Sequence, residues 1–91
     1  AKPGHSEHQT GLAIDVEGSN MDYDNFDKSN EFEWMRENAH KFGFIMRYPK
    51  NREHITRFKY EPWHYRYVGI PTATYIYEND LTLEEYLKIT D

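Results

Sequence analysis

This chain must build its core from aromatic rings. Tyr, Phe and Trp supply 8, 5 and 2 of its 91 residues, whereas Leu, Ile, Val and Phe together number only 17. That aliphatic share brushes the level at which chains stay unfolded. The rings offset it, because each brings roughly 150–250 Å² of surface to bury. A chain this short hides only about 60–65% of its unfolded surface, so residues 1–91 are read as a single domain with one small core. There is no cysteine, which excludes disulfides, CxxC redox sites, Cys-based zinc fingers and a thiol nucleophile. Any metal must be held by His, Asp or Glu. No apolar run approaches the ~18 residues of a membrane helix. Ala1-Lys2-Pro3-Gly4 has neither a basic nor an apolar leader character, so export would rest on a segment already removed.

Net charge is −5, which argues against a nucleic-acid footprint. The charge is uneven. Residues 15–33 carry seven acids and one Lys, residues 34–69 eight Lys/Arg and three acids, and residues 70–91 five acids and one Lys. The basic middle suits an anionic polymer, but a mixed solvated surface is the simpler reading.

Periodicity predicts an α+β fold, a small antiparallel sheet with flanking helices. Leu12-Ala13-Ile14-Asp15-Val16 reads as a strand, and the polar stretch from Gly18 to Asn30 as a loop. Phe32, Met35, Ala39 and Phe42 recur at helical spacing, with Ser29 as N-cap and Gly43 as stop. Phe44 to Tyr48 is a strand ended by Pro49, residues 50–59 a basic loop, and Trp63 to Val68 a further strand. Ile70 to Asn79 fits helix or strand. Thr82 and Glu85 form a capping box for a last helix whose buried face holds Leu83 and Leu87.

Two segments carry chemistry-bearing side chains: Ser6-Glu7-His8-Gln9-Thr10-Gly11-Leu12-Ala13-Ile14-Asp15 and Glu61-Pro62-Trp63-His64. By residue type, His8, Asp15 and His64 could supply two imidazoles and one carboxylate, a ligand set suited to catalytic zinc. Glu61, three residues before His64, could serve as a proton acceptor. The spacing alone leaves this open. His8 and Asp15 are an odd distance apart, as are Glu61 and His64, and odd separations put strand residues on opposite faces. They converge only if Gly11 and Pro62 break the strands.

The patterns Ser-x-His-x-x-Gly-x-Ala-x-Asp and Glu-x-Trp-His, in this order, resemble the LAS metallopeptidases (lysostaphin, D-Ala-D-Ala metallopeptidases, sonic hedgehog). Within them the chain is similar to the VanY-type D-alanyl-D-alanine carboxypeptidases and their L,D-carboxypeptidase relatives. Trp34 to Ala39, Phe42 to Pro49 and Tyr65 to Gly69 extend the likeness, which runs from about Lys2 to Leu87. The resemblance implies a Zn²⁺ cofactor held by His8, Asp15 and His64. It makes Glu61 the general base and then acid, and Ser6 a hydrogen-bonding partner of the substrate. Tyr48 and Trp63 would line the site, with Tyr48 also helping to hold the oxyanion. It implies release of the C-terminal D-alanine from a peptidoglycan stem peptide, D,D before L,D, at a bacterial cell envelope or outside the cell.

The chain also departs from the family pattern. Family members carry an N-terminal part with a Tyr-Arg-Ser stretch whose Arg pairs with the substrate's terminal carboxylate, whereas this chain begins five residues before Ser6. A partial catalytic domain is therefore expected, with apolar surface to be covered by a missing N-terminal segment or a homodimer partner. The alternative is a catalytically impaired zinc module that binds wall peptides. Before Glu61 stands Arg57-Phe58-Lys59-Tyr60, where relatives often have Thr-Gly. Asp22, Asp24 and Asp27 lack calcium-loop spacing and read as a solvated loop. His5 reads as a loop or outer residue, and His40 and His54 as surface.

Overall fold

A computed structural model describes residues 12–16 and 23–90. Among the described residues, three strands form one antiparallel sheet: β1 (Ala13–Asp15), β2 (Phe44–Tyr48) and β3 (Glu61–Tyr67), with β3 in the centre. The same residues hold four α-helices, α1 (Asn30–Asn38), α2 (Glu53–Thr56), α3 (Ile70–Asn79) and α4 (Leu83–Thr90), and two 3₁₀ segments, Tyr23–Lys28 and Ala39–Phe42, that flank α1. This is the α+β class expected.

Local chemistry places the element ends. Ser29 Oγ accepts from Phe32 N at 3.1 Å, capping α1. Gly43 ends the following 3₁₀ turn in the left-handed region, φ 87°, where a Cβ is disfavoured. Thr82 N donates to Glu85 Oε1 at 2.9 Å and Glu85 N donates to Thr82 Oγ1 at 3.0 Å, the reciprocal capping pair expected. Residues 70–79, ambiguous in sequence, are helical, with Pro71 in the first turn where no N–H is required.

Five expectations need correction. The single helix through Phe42 breaks at Ala39 into a 3₁₀ turn, which leaves Phe42 60% exposed against Trp34, their rings 5.9 Å apart. The second long strand starts earlier, at Glu61, and takes in the buried Pro62. The basic loop contains the one-turn helix α2. Leu87 is 50% exposed, because α4 buries Leu83 and covers the core only at its N-terminal end. The polar stretch before α1 is partly the 3₁₀ segment Tyr23–Lys28, whose Phe26 is fully buried and meets Phe32 edge-on at 5.9 Å.

Ile45, Ala73, Ile76 and Leu83 form the main core, joined by Val68, Leu81 and Tyr86. This cluster fastens α3 and α4 to β2. The first 3₁₀ segment packs against β3, and the fully buried Phe26 and Tyr65 supply the ring-based burial that the composition demanded.

Candidate metal centre

The register of β1 on β3 decides which side chains meet. Asp15 lies directly opposite His64, Ile14 opposite Tyr65 and Ala13 opposite Arg66. Directly paired residues share a face, so Asp15 and His64 face each other across strands joined further along by Val16 N to Trp63 O, 2.9 Å. Asp15 Oδ1 stands 3.5 Å from His64 Nδ1, with His64 buried and Asp15 open to solvent on one side.

Glu61 reaches the same nitrogen by another route. Met46 pairs with Tyr65 but Tyr48 pairs with Glu61, so two steps along β2 answer to four along β3. Pro62, which has no N–H for the ladder, lies inside this irregularity. The break cancels the face alternation that would separate Glu61 from His64, and Glu61 Oε1 comes to 3.5 Å from His64 Nδ1. It also turns Tyr48 toward the site: Tyr48 is 6% exposed and its ring lies 4.9 Å from that of His64. Trp63 adjoins His64 in β3 and is half-buried.

Thus the structure brings Asp15, Glu61, His64 and Tyr48 together, with Trp63 beside them. Ser6, His8 and His5 lie outside the described residues. Among the described residues no three His, Asp or Glu side chains form a complete metal-binding group. Asp15 and His64 are nevertheless of the chemical type that holds a metal: His64 Nδ1 faces one carboxylate oxygen of Asp15 at 3.5 Å, and Glu61 Oε1 stands at the same distance from it. Donor atoms around tetrahedral zinc, at about 2.0–2.1 Å from the ion, lie about 3.4 Å apart, so the Asp15–His64 pair has the spacing of two ligands of one ion.

Three neighbours were not foreseen as site components. Phe58 stacks on the other face of Tyr48 with ring centres 4.6 Å apart, and the loop that holds it was visible in sequence only as a departure before Glu61. Arg47 places its guanidinium 5.0 Å from the Tyr48 ring centre and pairs with Glu84 at 2.8 Å. Tyr60 donates to Asp27 Oδ2 at 3.4 Å; burial, helped by Asp27, pushes its phenol up to about 12, so it stays protonated at neutral pH. His40 is not a plain surface residue. It is half-buried and stacks on Tyr77 at 3.8 Å. His54 is exposed, as expected. A cavity of about 390 Å³ is lined by Met35, His40, Ile45, Tyr65 and Ile76 among others, but by none of Asp15, Glu61 and His64.

Known proteins share both the sequence and the shape of this chain. The family model VanY, D-alanyl-D-alanine carboxypeptidase, matches residues 1–70. A D-alanyl-D-alanine carboxypeptidase of Enterococcus faecalis is 52% identical over 97% of this chain and 32% of its own length. The LdcB LD-carboxypeptidase, solved for the basis of peptidoglycan recognition, superimposes with TM-score 0.90 at 52% identity, over 97% of this chain and 42% of that one. A single-substitution variant of the vancomycin-resistance D,D-pentapeptidase VanY, solved in complex with Zn(II), gives TM-score 0.82 at 51% identity, over 96% and 47%. The chain thus spans about a third of the length of the curated relatives it matches. Because the family model covers well over half of the chain, it belongs to the VanY family of D-alanyl-D-alanine carboxypeptidases.

Proposed function

We propose that this chain is the metal-bearing part of a zinc-dependent carboxypeptidase that removes the C-terminal D-alanine of peptidoglycan stem peptides. The observation that carries this is the meeting of Asp15 and Glu61 carboxylates at His64 Nδ1, 3.5 Å each. Asp15 and His64, with His8 as third ligand, would hold the zinc. When bound, the metal supplies Lewis acidity that polarises the scissile carbonyl and makes water a nucleophile near neutral pH.

The remaining work falls to the protein's own groups. Glu61 is left as proton acceptor: its carboxylate takes the proton of the attacking water and delivers it to the departing amine. Tyr48, seated on His64, would form one wall and direct a donor at the developing oxyanion, with Trp63 and Ser6 contacting the peptide. The names of its relatives support D,D-hydrolysis first and L,D-hydrolysis second. Such a substrate places the work at the cell envelope or outside the cell.

The test compares the wild-type protein with Glu61→Gln on stem pentapeptides and tetrapeptides, with and without a chelator. Chelation should abolish release of D-alanine. Glu61→Gln should lower kcat by roughly 10²–10⁴, the usual share of a general base, with zinc still bound. Undiminished turnover in Glu61→Gln would remove Glu61 from the mechanism, and release preferentially from tetrapeptides would reverse the order of specificities.

A further inference from the structure

We infer that Arg47, held by Glu84, is a positioning residue for the metal centre, acting through Tyr48 on the ring of His64. The inference rests on the reading of His64 as a zinc ligand.

In an unbroken strand Arg47 and Tyr48 would point to opposite faces. The register change between Met46 and Tyr48 removes that constraint. As a result the Arg47 guanidinium sits 5.0 Å from the centre of the Tyr48 ring, within reach of a cation–π contact. The same guanidinium donates from Nη1 to Glu84 Oε1 at 2.8 Å, with side-chain exposures of 13% and 29%. A charge-assisted bond so largely shielded from water is geometrically stringent.

Glu84 in turn is fixed by its place in the first turn of α4, directly after the Thr82 cap. Tyr48 has little freedom on its remaining sides: Phe58 stacks on it at 4.6 Å and His64 lies at 4.9 Å. The line of contact runs from α4 through Glu84, Arg47 and Tyr48 to His64. A helix remote from the chemistry thereby sets the plane of a ligand ring. Groups that orient a metal-ligating imidazole commonly change metal affinity 10- to 100-fold when removed.

The experiment uses Arg47→Met, Arg47→Lys and Glu84→Gln in the full chain. The His64 ring resonances are first followed by NMR in the metal-free protein, where the Tyr48 ring current marks their position. Zinc affinity is then measured by chelator competition on the folded fraction. Arg47→Met and Glu84→Gln should displace the His64 signals and weaken zinc binding by roughly 10-fold, whereas Arg47→Lys, which keeps a cation beside the ring, should retain most of both. His64 signals and zinc affinity unchanged in Glu84→Gln and Arg47→Met, with only the unfolding midpoint lowered, would overturn the proposal. If Arg47→Met does not fold, Glu84→Gln and Arg47→Lys decide it. A parent chain that binds no zinc would sink the functional reading, and the metal-free His64 signals would still decide whether Arg47 positions the ring.

Discussion

Tyr65 and His64 are neighbours in β3 with opposite fates. His64 is buried with two carboxylates facing its Nδ1. Tyr65 is 1% exposed, and among the described residues its hydroxyl has no hydrogen-bond partner. Burial, reinforced by the nearby Tyr60, keeps this phenol protonated far into the alkaline range. An unsatisfied buried hydroxyl costs about 1–3 kcal/mol, whereas the ring that carries it is a main source of packing. Tyr65→Phe should therefore leave stability unchanged or raise it by about 1 kcal/mol, read from urea unfolding at constant m. A loss of more than about 1 kcal/mol would mean that the hydroxyl has a partner beyond the described residues. Residue identity alone did not foretell this contrast, because Tyr65 and His64 each carry a polar group and the face each takes in β3 decides what that group meets.

At the scale of elements, the capped ends and the break at Pro62 were legible, and the cross-strand pairing that brings Glu61 and His64 together was not. Ser29, Gly43, Pro49 and the Thr82–Glu85 pair act through their own backbone or the next turn, so local sequence suffices to place them. The Glu61–His64 spacing looked wrong for one face because alternation assumes an unbroken ladder. The irregularity that reconciles it depends on pairing with a strand some 15 residues upstream. Phe42 and Leu87 were misplaced for a related reason: periodicity reports which side of a helix is apolar, not how far the neighbouring element extends to cover it. Two expectations belong here. A Cβ on Gly43 would lie 2.6 Å from Tyr67 Cε1 and 3.2 Å from the Gly69 carbonyl carbon, at φ 87°. Gly43→Ala should cost about 2 kcal/mol from backbone and contact together, lowering the melting midpoint by roughly 8–16 °C; a midpoint within about 2 °C of wild type would contradict that geometry. Glu85 accepts from the Thr82 backbone N–H, which holds its carboxyl below the ordinary range. A depressed carboxyl stabilises the fold fully above its unfolded pKa of about 4.3, and that contribution fades as pH falls through the lower folded value. Because Glu85 is only half-buried, solvent keeps the effect small. Stability of Glu85→Gln relative to wild type should thus be lower at neutral pH and converge with it as pH falls through the lowered folded pKa; a gap that widens in acid would reverse the sign.

At the scale of the whole molecule, the candidate centre ties together parts of the chain that the small core holds only loosely. β1 has three residues and sits at a sheet edge, and two of them, Ile14 and Asp15, are exposed. It is joined to β3 by few ladder bonds, yet it carries Asp15, 49 positions before His64. A metal held by both would clamp β1 to the centre of the sheet in the folded state only, and the unfolded chain would have to close that long loop to bind it as well. Zinc at 100 times its dissociation constant should then add about 2.7 kcal/mol of stability, a rise in melting midpoint on the order of 10–20 °C for a domain of this size. Asp15→Asn and His64→Ala should abolish that rise, because each removes a donor. Glu61→Gln should keep most of it while losing hydrolysis, because a proton acceptor beside the metal is needed for reaction and not for holding the ion. Differential scanning calorimetry of the four proteins with and without zinc separates these roles: a zinc-induced rise surviving His64→Ala would remove His64 from the ligand set, and one lost in Glu61→Gln would make Glu61 a ligand instead of the base.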